Sequence, residues 1–130
     1  MADYGTVTIT EVTFPWIKKI KFVWLSENGG DNAGKASKTT VEAYTGQIIG
    51  AIFVPDTGAT APTTLHDITV TNEDGRDILH GVAANLPVPI VGTGRIEPSS
   101  LLGVVVSTRL TLNVENAGDA KGGTVYLYIG

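Results

Sequence analysis

The sequence predicts an all-β fold, a single antiparallel β-sandwich or barrel of about seven or eight strands joined by long glycine- and proline-rich loops. Three observations predict it. Short runs rich in Thr, Val, Ile, Tyr and Trp recur along the chain, bounded by Gly, Pro and Asn or Asp. Helical periodicity is nearly absent, so nothing offers a crossover between parallel strands. The last nine residues, Gly122 to Gly130, alternate without a fault: Val125, Leu127 and Ile129 share one face, and Thr124, Tyr126 and Tyr128 the other.

Thr6 to Phe14 is the first predicted strand. Val7 and Ile9 face one way and Val12 and Phe14 the other, so a bulge or a change of sheet is expected near Thr10–Glu11. Pro15 breaks the run. Lys18 to Ser26 follows, with Ile20, Phe22 and Trp24 on one face. Val23 and Leu25 on the other suggest an end covered on both sides.

Glu27 to Ser37 is polar and glycine-rich, the composition of a mobile surface loop. Lys38 to Pro55 is long for one strand, and Gly46 and Gly50 suggest a bend, a bulge or two strands around a corner. Asp56 to Thr64 is a second exposed loop, restricted by Pro62. His66 to Leu79 reads as a hairpin turning at Asn72-Glu73-Asp74-Gly75, because Asp-Gly favours tight hairpin turns. Gly81 to Asn85 fits one helical turn. Leu86 to Leu101, with Pro87, Pro89 and Pro98, is expected to be extended and irregular. Gly103 to Glu115 reads as one long strand, and Asn116 to Gly123 is expected to turn it into the final strand as an antiparallel hairpin.

At 130 residues the chain is read as one domain, 1–130, able to bury roughly two-thirds of its unfolded surface without staples. There is no cysteine, so disulfides and thiolate metal sites are excluded, which fits a reducing compartment. Met1 to Gly5 has neither a basic n-region nor an apolar run, so no signal peptide is expected. No apolar stretch approaches the roughly 20 residues that cross a bilayer, and no membrane partner is expected. The net charge is −4, with 17% charged residues, which argues against phosphate-backbone binding and a nucleic-acid partner. The one basic cluster, Lys18-Lys19 with Lys21, reads as a solvated face or a lysine-guarded edge, with a polyanion site as the alternative.

Chemistry-bearing patterns are weak. His66 and His80 flank the predicted hairpin, so strand pairing could bring them together near Asp67 or Asp77. No serine has a nucleophile-elbow context. Gly75 cannot serve as the glycine of a calcium loop, because Val70 and Gly81 would fall at its first and last ligand positions. Gly92-Thr93-Gly94 precedes no evident helix and so offers no phosphate cradle. Glu42 and Glu115 lie on predicted strands, with nothing to set them across a cleft. The reading is non-enzymatic, with no catalytic residue, no metal and no cofactor. Trp24 is assigned to the core. Tyr4, Trp16, Tyr126 and Tyr128 are the candidate interface residues, since Tyr and Trp bury large areas at contacts. Carbohydrate stacking and an ordinary partly buried sheet face are the alternatives for Tyr126 and Tyr128.

Two stretches carry a resemblance. Ala59 to Asn85 (ATAPTTLHDITVTNEDGRDILHGVAAN) and Leu110 to Ile129 (LTLNVENAGDAKGGTVYLYI) are similar to small structural proteins of tailed bacteriophages and prophages. The similarity runs from about Val23 to Ile129. It implies a virion protein, of which capsid decoration or cement proteins are the natural example, made in the bacterial host cytoplasm and carried on the phage head. It implies the major capsid protein as partner, homo-oligomers (trimer or dimer), and contact arms. The candidate arms are Met1 to Gly5, Glu27 to Ser37 and Leu86 to Leu101. A tail, baseplate or head–tail connector component and a carbohydrate-binding module are the alternatives.

Overall fold

Alternation decides which side chains meet. Ile20, Phe22 and Trp24 lie on one side of a strand whose register sets them against Leu127, Val125 and Gly123. All of these positions are buried. The computed structural model describes residues 4–63, 65–81, 83–84 and 104–130. Among these, eight strands occur in chain order: β1 (Thr6–Thr13), β2 (Lys18–Leu25), β3 (Ala36–Thr39), β4 (Tyr44–Pro55), β5 (Asp67–Thr71), β6 (Val104–Thr108), β7 (Thr111–Glu115) and β8 (Gly122–Ile129). They form a five-stranded sheet of order β1-β2-β8-β4-β6 and a three-stranded sheet of order β3-β7-β5, with every pairing antiparallel. The all-β reading therefore holds, and the core lies between the two sheets. Phe22, Phe53, Leu127 and Val125 enter it from the larger sheet, and Val70, Leu112 and Val114 from the smaller.

Trp24 pairs with Gly123, and a Cβ at Gly123 would stand 2.9 Å from the indole. Glycine there lets the ring lie flat on the neighbouring strand. Gly46 has φ +145 and touches the chain end, where Gln47 and Gly130 exchange backbone hydrogen bonds of 2.9 and 2.8 Å. The last strand is thus held on both sides, by β2 and by β4.

Several expectations need correction. β1 keeps an unbroken register with β2 from Thr6↔Leu25 to Thr13↔Lys18, with no bulge at Thr10–Glu11. Val12 simply faces outward, 48% exposed. Val23 and Leu25 are not covered on the outer side; each is 41% exposed. The Lys38–Pro55 stretch does form two strands around a corner, but the corner is Thr40–Ala43, and β3 already starts at Ala36. A register shift between Ile48 and Gly50 supplies the bulge. Pro62 is buried rather than exposed.

The predicted strand over Gly103–Glu115 is two strands in different sheets, broken at Arg109–Leu110. The predicted β7–β8 hairpin does not exist: β7 pairs with β3 and β5, whereas β8 pairs with β2 and β4. Asn116–Lys121 is an arch that crosses the sandwich. Polar groups from elsewhere hold it: Ser26 Oγ donates to Gly118 O at 2.5 Å and accepts from Lys121 N–H at 2.9 Å, and Thr63 N–H donates to Ala117 O at 2.9 Å. Two further sheet changes, β3 to β4 and β6 to β7, are joined to each other. Buried Thr40 exchanges backbone and side-chain hydrogen bonds with Leu110, 2.8 Å from Thr40 N to Leu110 O and 3.1 Å from Leu110 N to Thr40 Oγ1.

The Asp-Gly turn forms, but the return arm is a single bridge, Thr71↔Asp77. The Asp77 carboxylate then accepts from the backbone N–H groups of Val70, Leu79 and Gly81, folding the chain into consecutive turns instead of a strand. Ala84 N–H donates to Gly81 O at 3.2 Å, a hydrogen-bonded turn where a helical turn over Gly81–Asn85 was expected; Val82 lies outside the described residues. The proline-rich Leu86–Leu101 segment, Asn85 and Met1 to Asp3 lie outside the described residues.

Candidate functional site

The outer face of the five-stranded sheet gathers three of the four candidate interface aromatics. Register across β1, β2, β8 and β4 aligns Thr10, Lys21, Tyr126 and Ile52 in one row, and Val12, Lys19, Tyr128 and Gly50 in the next. The third row is Thr8, Val23, Thr124 and Val54. β1 lends the face Thr8, Thr10 and Val12, β2 two lysines and Val23, β8 two tyrosines and Thr124, and β4 Gly50, Ile52 and Val54. Tyr126 and Tyr128 are half-buried. The Lys19 ammonium sits 4.8 Å from the Tyr126 ring centroid and the Lys21 ammonium 5.9 Å from it. Two cations share one aromatic ring.

Trp16 marks one end of this face. Phe14 N–H donates to Ile17 O at 2.8 Å, closing a tight β1–β2 turn with Pro15 and Trp16 at its tip. Trp16 is 88% exposed, and Phe14 beside it 46%. The same end of the sheet carries exposed Ile49 and Val105. Trp24, eight residues on, is buried against His66.

Tyr4 does not join this face. Its backbone exchanges hydrogen bonds with Ser37, at 3.2 and 2.9 Å, bridging the two sheets at the far end of β1. Gly5 N–H donates to Glu27 Oε2 at 3.0 Å. Tyr4 and Gly5 are therefore anchored, not part of a free arm. The Glu27–Ser37 loop is also closed on itself, through Glu27 N–H to Lys35 O and Gly34 N–H to Glu27 O.

A groove missed by the sequence reading opens between the β1 edge and the β3–β4 corner, about 390 Å³, lined by Ile9, Glu11, Lys38, Val41, Glu42 and Tyr44. Glu42 lies in that corner rather than on a strand. Lys18 sits 3.8 Å from Glu11 and 5.3 Å from the Tyr44 ring. Burial first, then the hydrogen bond and charge of Glu11 and the charge of Glu42, push the Tyr44 hydroxyl up to about 12. No sequence spacing signals the groove, because its lining comes from β1, β3, the Thr40–Ala43 corner and the start of β4.

The histidines stand in unlike surroundings. His66 is 1% exposed, and its Nδ1 donates to Thr63 O at 3.0 Å. His80 is exposed with φ +53. Asp77 is engaged by backbone N–H groups, and Asp67 accepts from Asn116 Nδ2 at 2.7 Å. Among the described residues no group of three or more His, Cys, Asp or Glu could hold a metal ion. Asn72 Oδ1 accepts from the N–H groups of Asp74 and Arg76, which is turn chemistry. The Gly92–Gly94 stretch lies outside the described residues.

Compared with family models, curated proteins and solved structures, the chain matches none.

Proposed function

We propose that this chain is a non-enzymatic structural protein of a tailed-bacteriophage virion, a capsid decoration or cement protein that bridges major capsid protein subunits. The outer face of the five-stranded sheet is its docking surface. The observation that carries the docking role is Trp16, 88% exposed at the tip of a rigid turn, at the end of a sheet face bearing Tyr126 and Tyr128. The tight turn fixes the backbone beneath the indole, so less conformational entropy is lost on contact than a free arm would lose. The assignment to a virion rests on the sequence resemblance. A cement protein needs only modest area per copy, since capsid symmetry repeats each contact many times.

Binding of the purified protein to expanded phage heads tests this reading. Saturable binding that raises the heads' melting temperature supports it. Heads that take up no protein and keep their stability without it overturn the cement role. Copy number in the virion separates the head from the tail or baseplate: hundreds of copies place it on the head, and a low multiple of three or six in the tail.

A further inference from the structure

The strand positions of the outer face are charged in one sense only, and the acid that reaches this side, Asp56, stands just past β4 over Gly122, beyond the Thr8–Val23–Thr124–Val54 row. The chain has 13 acidic against 9 basic residues. Yet among the described residues the outward positions of the five-stranded sheet carry Lys19 and Lys21 and no Asp or Glu. The acid nearest in register, Glu11, pairs with Ile20, so its side chain leaves on the core side of β1, where Lys18 and Tyr44 engage it. Lys19 and Lys21 stand two apart on one strand, both leaning on Tyr126, with Thr10 on one flank and Ile52 on the other.

We propose that this face receives an acidic, aliphatic protein segment, its carboxylates over the Lys19–Tyr126–Lys21 step and its aliphatic side chains over Ile52 and Val54. The proposal rests on the docking role given to the face above and names the chemistry of what docks. Charge complementarity selects the partner, because two ammonium groups without a carboxylate between them repel each other until an anion arrives. A protein segment suits the face better than a nucleic acid does. Two lysines are too few to follow a phosphate backbone, and Val12, Val23, Ile52 and Val54 give the face an aliphatic share that a nucleic acid would leave uncovered. The tyrosine ring draws both ammonium groups toward one place before the partner comes, which lowers the ordering cost of the contact.

The test is an NMR titration of the full chain with a soluble peptide of alternating Glu and Leu. Controls are the matching Lys–Leu peptide, a single-stranded DNA oligonucleotide and a dilution series without ligand. The Glu–Leu peptide is expected to shift Thr10, Lys21, Tyr126 and Ile52 saturably. Neutralising either lysine (Lys19→Gln or Lys21→Gln) should weaken binding by roughly 3- to 10-fold, and Lys19→Glu/Lys21→Glu should abolish it. Wild-type binding should weaken with added salt. If the charge-reversed protein does not fold, the two glutamine variants carry the result. No saturable shift on this face, equal binding of the Lys–Leu peptide, tighter binding of the DNA, or burial of the face by self-association would each overturn the proposal. Expanded heads separate the two readings. Heads that bind wild-type and Lys19→Gln/Lys21→Gln protein equally refute the acidic partner and leave docking intact. Heads that bind neither refute the cement role, and the peptide titration still decides the chemistry.

Discussion

The imidazole of His66 packs on the indole of Trp24, with ring centroids 6.0 Å apart and planes tilted by 42°. Nδ1 faces the Thr63 carbonyl at 3.0 Å, and a carbonyl can only accept, so the neutral ring carries its proton there. Burial lowers the His66 pKa from its ordinary 6.5, while the Thr63 hydrogen bond and the Asp67 charge oppose the shift. The unfolded chain therefore binds this proton more readily than the fold does. The stability from keeping His66 neutral is complete above about pH 6.5 and is lost as pH falls from there through the folded pKa. Thermal melts of the wild type should hold level from pH 8 to 7 and decline toward pH 5. In His66→Gln the decline between pH 6.5 and 5 should be shallower, from a lower starting point. Parallel slopes in the two proteins would remove His66 as the cause.

Gly123→Ala should destabilise the fold by about 1–3 kcal/mol, because the new methyl group would meet the Trp24 ring at 2.9 Å across β2 and β8. Urea unfolding followed by Trp fluorescence measures this, and a change under 0.5 kcal/mol would show that the indole has room to move.

Thr40→Val should cost about 1–3 kcal/mol, although the two side chains match in shape. Thr40 Oγ1 accepts from Leu110 N–H and donates to Glu42 O, at 3.1 and 2.7 Å, where the β3–β4 and β6–β7 connections meet. Thr13→Val, on exposed β1, is the control and should stay within about 0.5 kcal/mol of the wild type.

Leu127→Ala and Trp16→Ala should separate stability from docking. Leu127 is fully buried, and its truncation should cost about 2–5 kcal/mol. Trp16 is 88% exposed and should melt as the wild type does. Head binding should show the opposite order: weakened severely by Trp16→Ala, and restored for Leu127→Ala at temperatures where that variant is folded.

The strands were legible because period-two alternation reports which face a residue takes. Ile20–Phe22–Trp24 and Val125–Leu127–Ile129 are both buried as the pattern demands. What alternation does not report is whether a turn lays the next strand alongside or carries it across the core. Asn116–Lys121 has ordinary hairpin composition, yet its backbone is held by Ser26, Thr63 and Gly34, partners 54 to 95 residues away in sequence. The break at Arg109–Leu110 was hidden for the same reason, since Thr40 and not any local signal fixes it. Of the candidate interface residues, the place of Trp16 in a turn was legible from Pro15 beside it, though its exposure was not, and the shared outward side of Tyr126 and Tyr128 was legible from their parity. Tyr4 was not, because its role comes from a backbone bridge to Ser37 that any side chain could make. Lys19 and Lys21 were seen as a cluster, but their tie to Tyr126 required knowing that β2 lies beside β8.

The most direct measurement is footprinting of the lysines and tryptophans in the free protein and in the assembled particle. Docking through the outer face predicts that Trp16, Lys19 and Lys21 lose reactivity in the particle while Lys35, on the Glu27–Ser37 loop, keeps it. Equal reactivity of Trp16, Lys19 and Lys21 in both states would contradict it.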